Sequence, residues 1–67
     1  MQAVNAEIIA IGDELLYGQI MDTNSHWISQ ELDAVGVRVV RKTTVGDNRT
    51  DILTAFEEAS KRANVIL

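Results

Sequence analysis

The apolar positions of this chain change their spacing from segment to segment, and each spacing predicts an element. Residues 6–11 (Ala-Glu-Ile-Ile-Ala-Ile) form a nearly continuous apolar run closed by Gly12, the pattern of a strand buried on both faces of a parallel sheet. From Gly12 to Met21 no period is sustained, so the stretch reads as a loop with one helical turn through Glu14, Leu15 and Leu16. Asp22, Thr23 and Asn24 are all good helix caps, and Ile28, Leu32 and Val35 follow at i, i+4 and i+7. This predicts a helix over 23–35, stopped by Gly36. Val37–Val45 is rich in β-branched residues, with Val37, Val39, Arg41, Thr43 and Val45 on one face and Arg38, Val40, Lys42 and Thr44 on the other. Neither face is wholly apolar, which places this strand near a sheet edge and the first strand nearer the centre. After the turn Gly46-Asp47-Asn48, the spacing of Ile52, Leu53, Phe56, Ala59 and Ala63 predicts a helix over 49–63. Its outer face offers Glu57 with Lys61 and Glu58 with Arg62 as i, i+4 ion pairs. Val65-Ile66-Leu67 opens a third strand. Trp27 and Phe56 lie at or beside the helical apolar stripes and are assigned to the core.

The order is strand, helix, strand, helix, strand, with connections too long for hairpins. It predicts parallel strands joined by right-handed crossovers, an α/β layered sheet. With no internal repeat, low-complexity segment or linker, residues 1–67 read as the first part of one domain. A chain of this size buries only about 60% of its unfolded surface, which makes it marginal alone.

Composition narrows the chemistry. The 67 residues contain no cysteine and no proline, which excludes a disulfide framework and a thiolate zinc site. The longest interior apolar run, Ile8 to Ile11, is too short to span a bilayer, and no basic segment precedes a secretory stretch. No membrane association and a cytoplasmic location are therefore expected. Residues 1–37 carry six acids and no Lys or Arg, whereas residues 38–67 carry six bases against four acids. An acidic half argues against nucleic acid as a partner and suits a metal ion or sugar hydroxyls better.

Three segments could use that charge. Gly12-Asp13-Glu14-Leu15-Leu16-Tyr17-Gly18 follows the carboxyl end of the first strand, where two adjacent carboxylates could hold a divalent cation or accept from ribose hydroxyls. Equally, Asp13 could cap a short helical turn while Glu14 faces solvent and Leu15 and Leu16 plug the core. The spacing matches neither the Rossmann nor the Walker phosphate signature. Asp22-Thr23-Asn24 at a helix start could bind an anion or a substrate hydroxyl, or could simply cap. His26, the single histidine, has no partner fixed by spacing and reads as solvated or locally bonded. Thr43-Thr44-Val45-Gly46-Asp47-Asn48 again follows a strand's carboxyl end. Parallel pairing puts Asp47 on the same rim as Asp13 and Glu14, a convergence of three carboxylates suited to a divalent metal and a phosphoryl group; Asp47 or Asn48 could also serve as a helix cap. Arg38, Arg41 and Lys42 on the second strand could steer an anion, or discourage edge-to-edge pairing.

The set Ile11-Gly12-Asp13-Glu14-Leu15-Leu16-Tyr17-Gly18, Asp22-Thr23-Asn24-Ser25 and Val45-Gly46-Asp47-Asn48, in this order and spacing, resembles the CinA (competence/damage-inducible protein) family over essentially the whole chain. The resemblance implies the fold of the molybdopterin-binding domains of molybdenum cofactor biosynthesis, a three-layer parallel-type sheet with flanking helices, of which only the first β-α-β-α-β portion falls in this chain. It further implies a metal-dependent ADP-ribose pyrophosphatase activity in the intact domain, with a divalent cation (magnesium, manganese or cobalt) as cofactor and a homo-oligomeric state. The alternatives are a pterin- or nucleotide-binding module without hydrolysis, and an inactive fragment. By similarity Asp47 is the catalytic aspartate. Gly12, Asp13, Glu14 and Gly18 match the first site loop, Asp22, Thr23 and Asn24 the polar helix start, and Gly46 the turn before Asp47. The family continues into a Gly-rich Thr-Gly-Gly-Leu-Gly-Pro-Thr segment with paired aspartates, and many members carry a separate deamidase domain; this chain stops before both.

Overall fold

A computed structural model describes residues 4–63 and 65–66 of the chain. Leu67, the last residue expected of the third strand, lies outside the described residues. The elements are β1 (Val4–Ile11), α1 (Asp13–Leu16), α2 (Thr23–Ala34), β2 (Val37–Val45), α3 (Arg49–Ser60) and β3 (Val65–Ile66). All described strands pair in parallel in the order β2-β1-β3, so β1 is central and β2 lies at an edge, as the burial pattern of the sequence predicts. Strand β1 begins two residues earlier than the expected run, because Val4 and Asn5 also pair with β2, at Val37 and Arg38; Asn5 breaks the apolar run there.

The strand is buried on both faces, Ala6 to Ala10 without a break. Alternation along β1 sends Glu7 and Ile9 to one side of the sheet and Ala6, Ile8 and Ala10 to the other. On the first side Ile9 packs with Ala55 and Ala59 of α3, flanked by Val45 and Ile66. On the second, Lys42, which pairs with Ile8, reaches Asp22 at the start of α2. The layers are therefore helix, sheet, helix.

Three expectations are corrected. Ala6 pairs with Val39 and Glu7 with Arg41, so Val40 is an extra, bulged residue and the alternation of β2 inverts there. Val37 and Val39 thus do not share a face with Arg41, Thr43 and Val45. Trp27 is 61% exposed and Phe56 42%, so neither belongs to the core. The buried stripe of α3 runs through Ala55 and Ala59, whose small side chains let the helix sit close to the sheet and leave Leu53 and Phe56 at its flank. Finally, α3 ends at Ser60, not at residue 63. No Gly or Pro marks that stop; the chain turns at Lys61 and Arg62 to enter β3. The α2 stop does follow from sequence, with Gly36 at φ 84° just past the helix.

Arg62 explains the turn. Glu7 is buried at 1% exposure in the central strand, and Arg62 Nη2 donates to its Oε1 at 2.9 Å while Nε lies 2.7 Å from Oε2. The third Arg62 nitrogen, Nη1, donates to the Glu58 carbonyl at 3.2 Å, so the expected Glu58–Arg62 side-chain pair is replaced by a longer reach into the sheet. A buried carboxylate without a cation is costly, and removing one partner of a fully buried pair typically destabilises by about 3–5 kcal/mol.

Two predictions follow from these contacts. Because the Arg62 side chain is 38% exposed and partly screened, Arg62→Ala should destabilise the domain by less, about 2 kcal/mol in chemical denaturation. The double replacement Glu7→Leu with Arg62→Met should cost less than Arg62→Ala alone; a larger loss would mean that the ion pair is not the main contribution of Arg62. The second concerns acid. Ser25 donates to Asp22 from its hydroxyl and its amide, and with a smaller contribution from Lys42 this holds the Asp22 carboxyl below the ordinary aspartate range, against the opposing effect of burial. A depressed folded-state pKa gives stability that is present above the unfolded value, near about 4, and lost as pH falls through the folded value. In acid titrations followed by circular dichroism, Asp22→Asn should flatten the loss of stability below about pH 4.

Candidate functional site

Parallel pairing carries β1 and β2 to the same level, with Ile11 opposite Val45 at their carboxyl ends. The two following loops therefore leave the sheet side by side. Gly12 N–H donates to the Val45 carbonyl at 2.9 Å, continuing the ladder by one bond. One step further, the Asp47 backbone N–H donates to Asp13 Oδ1 at 2.9 Å, joining residues 34 positions apart. Gly46 lies buried beneath this bond. A Cβ on Gly46 would stand 2.6 Å from Asp13 Oδ1 and 3.3 Å from Leu16 Cδ2, so the close approach of the Asp13 carboxylate requires glycine.

The first loop is folded into α1 by amides of Leu15 and Leu16 donating to the Gly12 carbonyl at 3.2 and 3.0 Å. The second is tightened by Asn48 N–H donating to the Gly46 carbonyl at 2.8 Å. Asn48 then caps α3, accepting from Asp51 N–H at 3.1 Å. Of the two cap candidates on this turn it is Asn48 that serves, which leaves the Asp47 side chain exposed at the rim.

Asp13 makes no side-chain cap to α1; its carboxylate bonds across to the other loop instead. The Glu14 side chain lies against Gly12, with Oε1 2.8 Å from where a Gly12 Cβ would be. Asp13, Glu14 and Asp47 thus share a rim. The tight three-carboxylate group expected of them is not formed, for among the described residues no three His, Cys, Asp or Glu side chains gather closely enough to hold a metal ion. Gly18 has φ 74° and open space where a side chain would be, so backbone conformation accounts for glycine there. Asp22 is committed to capping α2 and to Lys42, while Thr23 and Asn24 are exposed beside it. His26 is exposed and lines, with Ser29, Gln30, Asp33, Arg38 and Val39, an open groove of about 410 Å³ between α2 and β2 that contains no rim residue.

Sequence reading did not find the Asp13–Asp47 bond or the Lys42–Asp22 and Arg62–Glu7 ion pairs. For Glu7 a signal existed: a single acid inside a strand buried on both faces needs a cation from elsewhere. Nothing in local spacing points to Arg62 as that cation, because the two residues are 55 positions apart.

The family described as "Probable molybdopterin binding domain" matches residues 7–67. A CinA-like protein of Cytophaga hutchinsonii is 52% identical over 64 residues, which is 96% of this chain and 15% of that protein. A competence-damage inducible protein of Shouchella clausii is 48% identical over the same shares of the two chains. Among solved structures, CinA of Thermoplasma acidophilum, described as of unknown function, superposes with a TM-score of 0.90 at 33% identity, covering 96% of this chain and 38% of that one. This chain therefore spans about 15% of the length of these curated relatives. With the helix-sheet-helix layering, the Gly12–Glu14 and Gly46–Asn48 loops at one rim and these matches, the chain belongs to the family of probable molybdopterin-binding domains, and over its length it is similar to CinA-like proteins.

Proposed function

We propose that the intact domain binds a nucleotide diphosphate of the ADP-ribose type at the rim formed by residues 12–14 and 46–48, and hydrolyses its pyrophosphate. The observation that carries this reading is the anchoring of Asp47. Its amide is held by Asp13, its carboxylate is exposed, and the amino end of α3 follows immediately. A carboxylate fixed at its backbone and open to solvent can orient a water molecule and take its proton as the water attacks one phosphorus and the bridging P–O bond breaks. The neighbouring Gly12–Glu14 loop supplies acceptors for ribose hydroxyls.

The rim is acidic, so the ligand's phosphates need a counter-charge. Asp47 and Glu14 are the residues that would hold a magnesium-type ion, a cation that needs only one or two protein carboxylates and not a closed protein cage. When bound, such an ion would offset phosphate charge and make water more acidic. The family description favours a second reading, in which the same rim holds a pterin phosphate without cleaving it.

In the intact protein, Asp47→Asn should lower metal-dependent ADP-ribose hydrolysis by at least about 100-fold, with melting temperature unchanged. Unaltered turnover would remove Asp47 from the mechanism. Isothermal titration with a molybdopterin-type ligand and with ADP-ribose separates the two readings: tight pterin binding with no product formed selects the second.

A further inference from the structure

We infer that Asp13 serves the proposed reaction as a positioning residue, a latch that sets Asp47 by accepting its backbone N–H, and that Gly46 is the gap that admits the latch. The inference rests on the reading of Asp47 given above, and it assigns Asp13 a role different from that of a metal or substrate ligand.

Three observations carry it. Asp13 Oδ1 is 2.9 Å from the Asp47 nitrogen, and the bond crosses from one loop to the other, spanning 34 residues of chain. The space for that oxygen is specific, since a Cβ on Gly46 would come within 2.6 Å of it. The backbone on both sides is already fixed, by Gly12 N–H on the Val45 carbonyl and by Asn48 N–H on the Gly46 carbonyl. The Asp47 amide is thereby pinned on either side of the peptide that bears the side chain. A displacement of about 1 Å at such a group is enough to cost about 100-fold in rate.

The latch needs an acceptor oxygen and not a charge, so an amide can replace the carboxylate where a methyl cannot. That distinguishes a latch from an acid-base group, which Asn would not replace, and exchange at the Asp47 amide distinguishes it from a metal ligand, whose loss would leave that amide bonded. The experiment compares Asp13→Ala, Asp13→Asn and Gly46→Ala in the intact protein by two readouts: kcat/KM for ADP-ribose, and hydrogen exchange at the Asp47 amide followed by mass spectrometry of short peptides spanning it. Asp13→Ala is expected to accelerate exchange at Asp47 and to lower kcat/KM at least about tenfold. Asp13→Asn should restore slow exchange and recover most of that loss. Gly46→Ala should behave like Asp13→Ala, and adding it to Asp13→Ala should bring little further change, because the oxygen it displaces is already gone.

Exchange at Asp47 that is the same in Asp13→Ala and in the unaltered protein would overturn the latch. So would Asp13→Asn that keeps slow exchange yet turns over no faster than Asp13→Ala. Should the unaltered protein fail to hydrolyse ADP-ribose, the proposed function falls while the exchange comparison still decides the latch. Should Asp13→Ala not fold, the comparison of Gly46→Ala with Asp13→Asn remains.

Discussion

The pairing of Ile11 with Val45 is the constraint on which the rest of this structure depends. Parallel strands that end level deliver their following loops to one place, and here those loops bring Asp13 and Asp47 into hydrogen-bond contact. An antiparallel arrangement of the same strands would send the loops to opposite ends of the sheet. The register is held by burial: every residue from Ala6 to Ala10 is enclosed, so a slip of one position in β1 would turn Glu7 away from Arg62 and carry Ile9 out of the Ile9–Ala55–Ala59 cluster. The bulge at Val40 belongs to the same constraint, absorbing one residue of β2 so that the carboxyl ends still meet.

Glu7 adds a second condition from within the sheet. A carboxylate in the middle of the central strand requires a partner that crosses the layer, and Arg62 meets that need from just beyond α3. The ion pair thereby couples where α3 stops to where β3 starts. It also ties the last helix to β1 by something more directional than the contacts of Ala55 and Ala59, which are small and could slide.

The sequence makes legible what depends on neighbouring positions. Strand order follows from the contrast between the uninterrupted apolar run of β1 and the mixed faces of β2, and the caps at Asp22 and Asn48 follow from residue type. Placement of the site loops on one rim follows from parallel topology alone. What the sequence hides depends on distance. The Val40 bulge shifts the phase of β2 without leaving a glycine behind. Trp27 and Phe56 look like core residues by size, yet the helices turn smaller or more polar residues, Ser25, Ala55 and Ala59, toward the sheet. The roles of Asp13 and Arg62 lie in contacts across 34 and 55 positions, beyond any local period.

The bond between Asp13 and the Asp47 amide has an entropic side. Closing a loop of 34 residues is unfavourable for a free chain, but the β1–β2 ladder closes that loop first, at Gly12 and Val45, one residue from Asp13 and two from Asp47. The carboxylate therefore meets its amide at a high effective concentration, with almost no chain entropy left to lose. A single contact, worth about 1 kcal/mol when exposed elsewhere, can in this setting keep its two loops in one arrangement for most of the time.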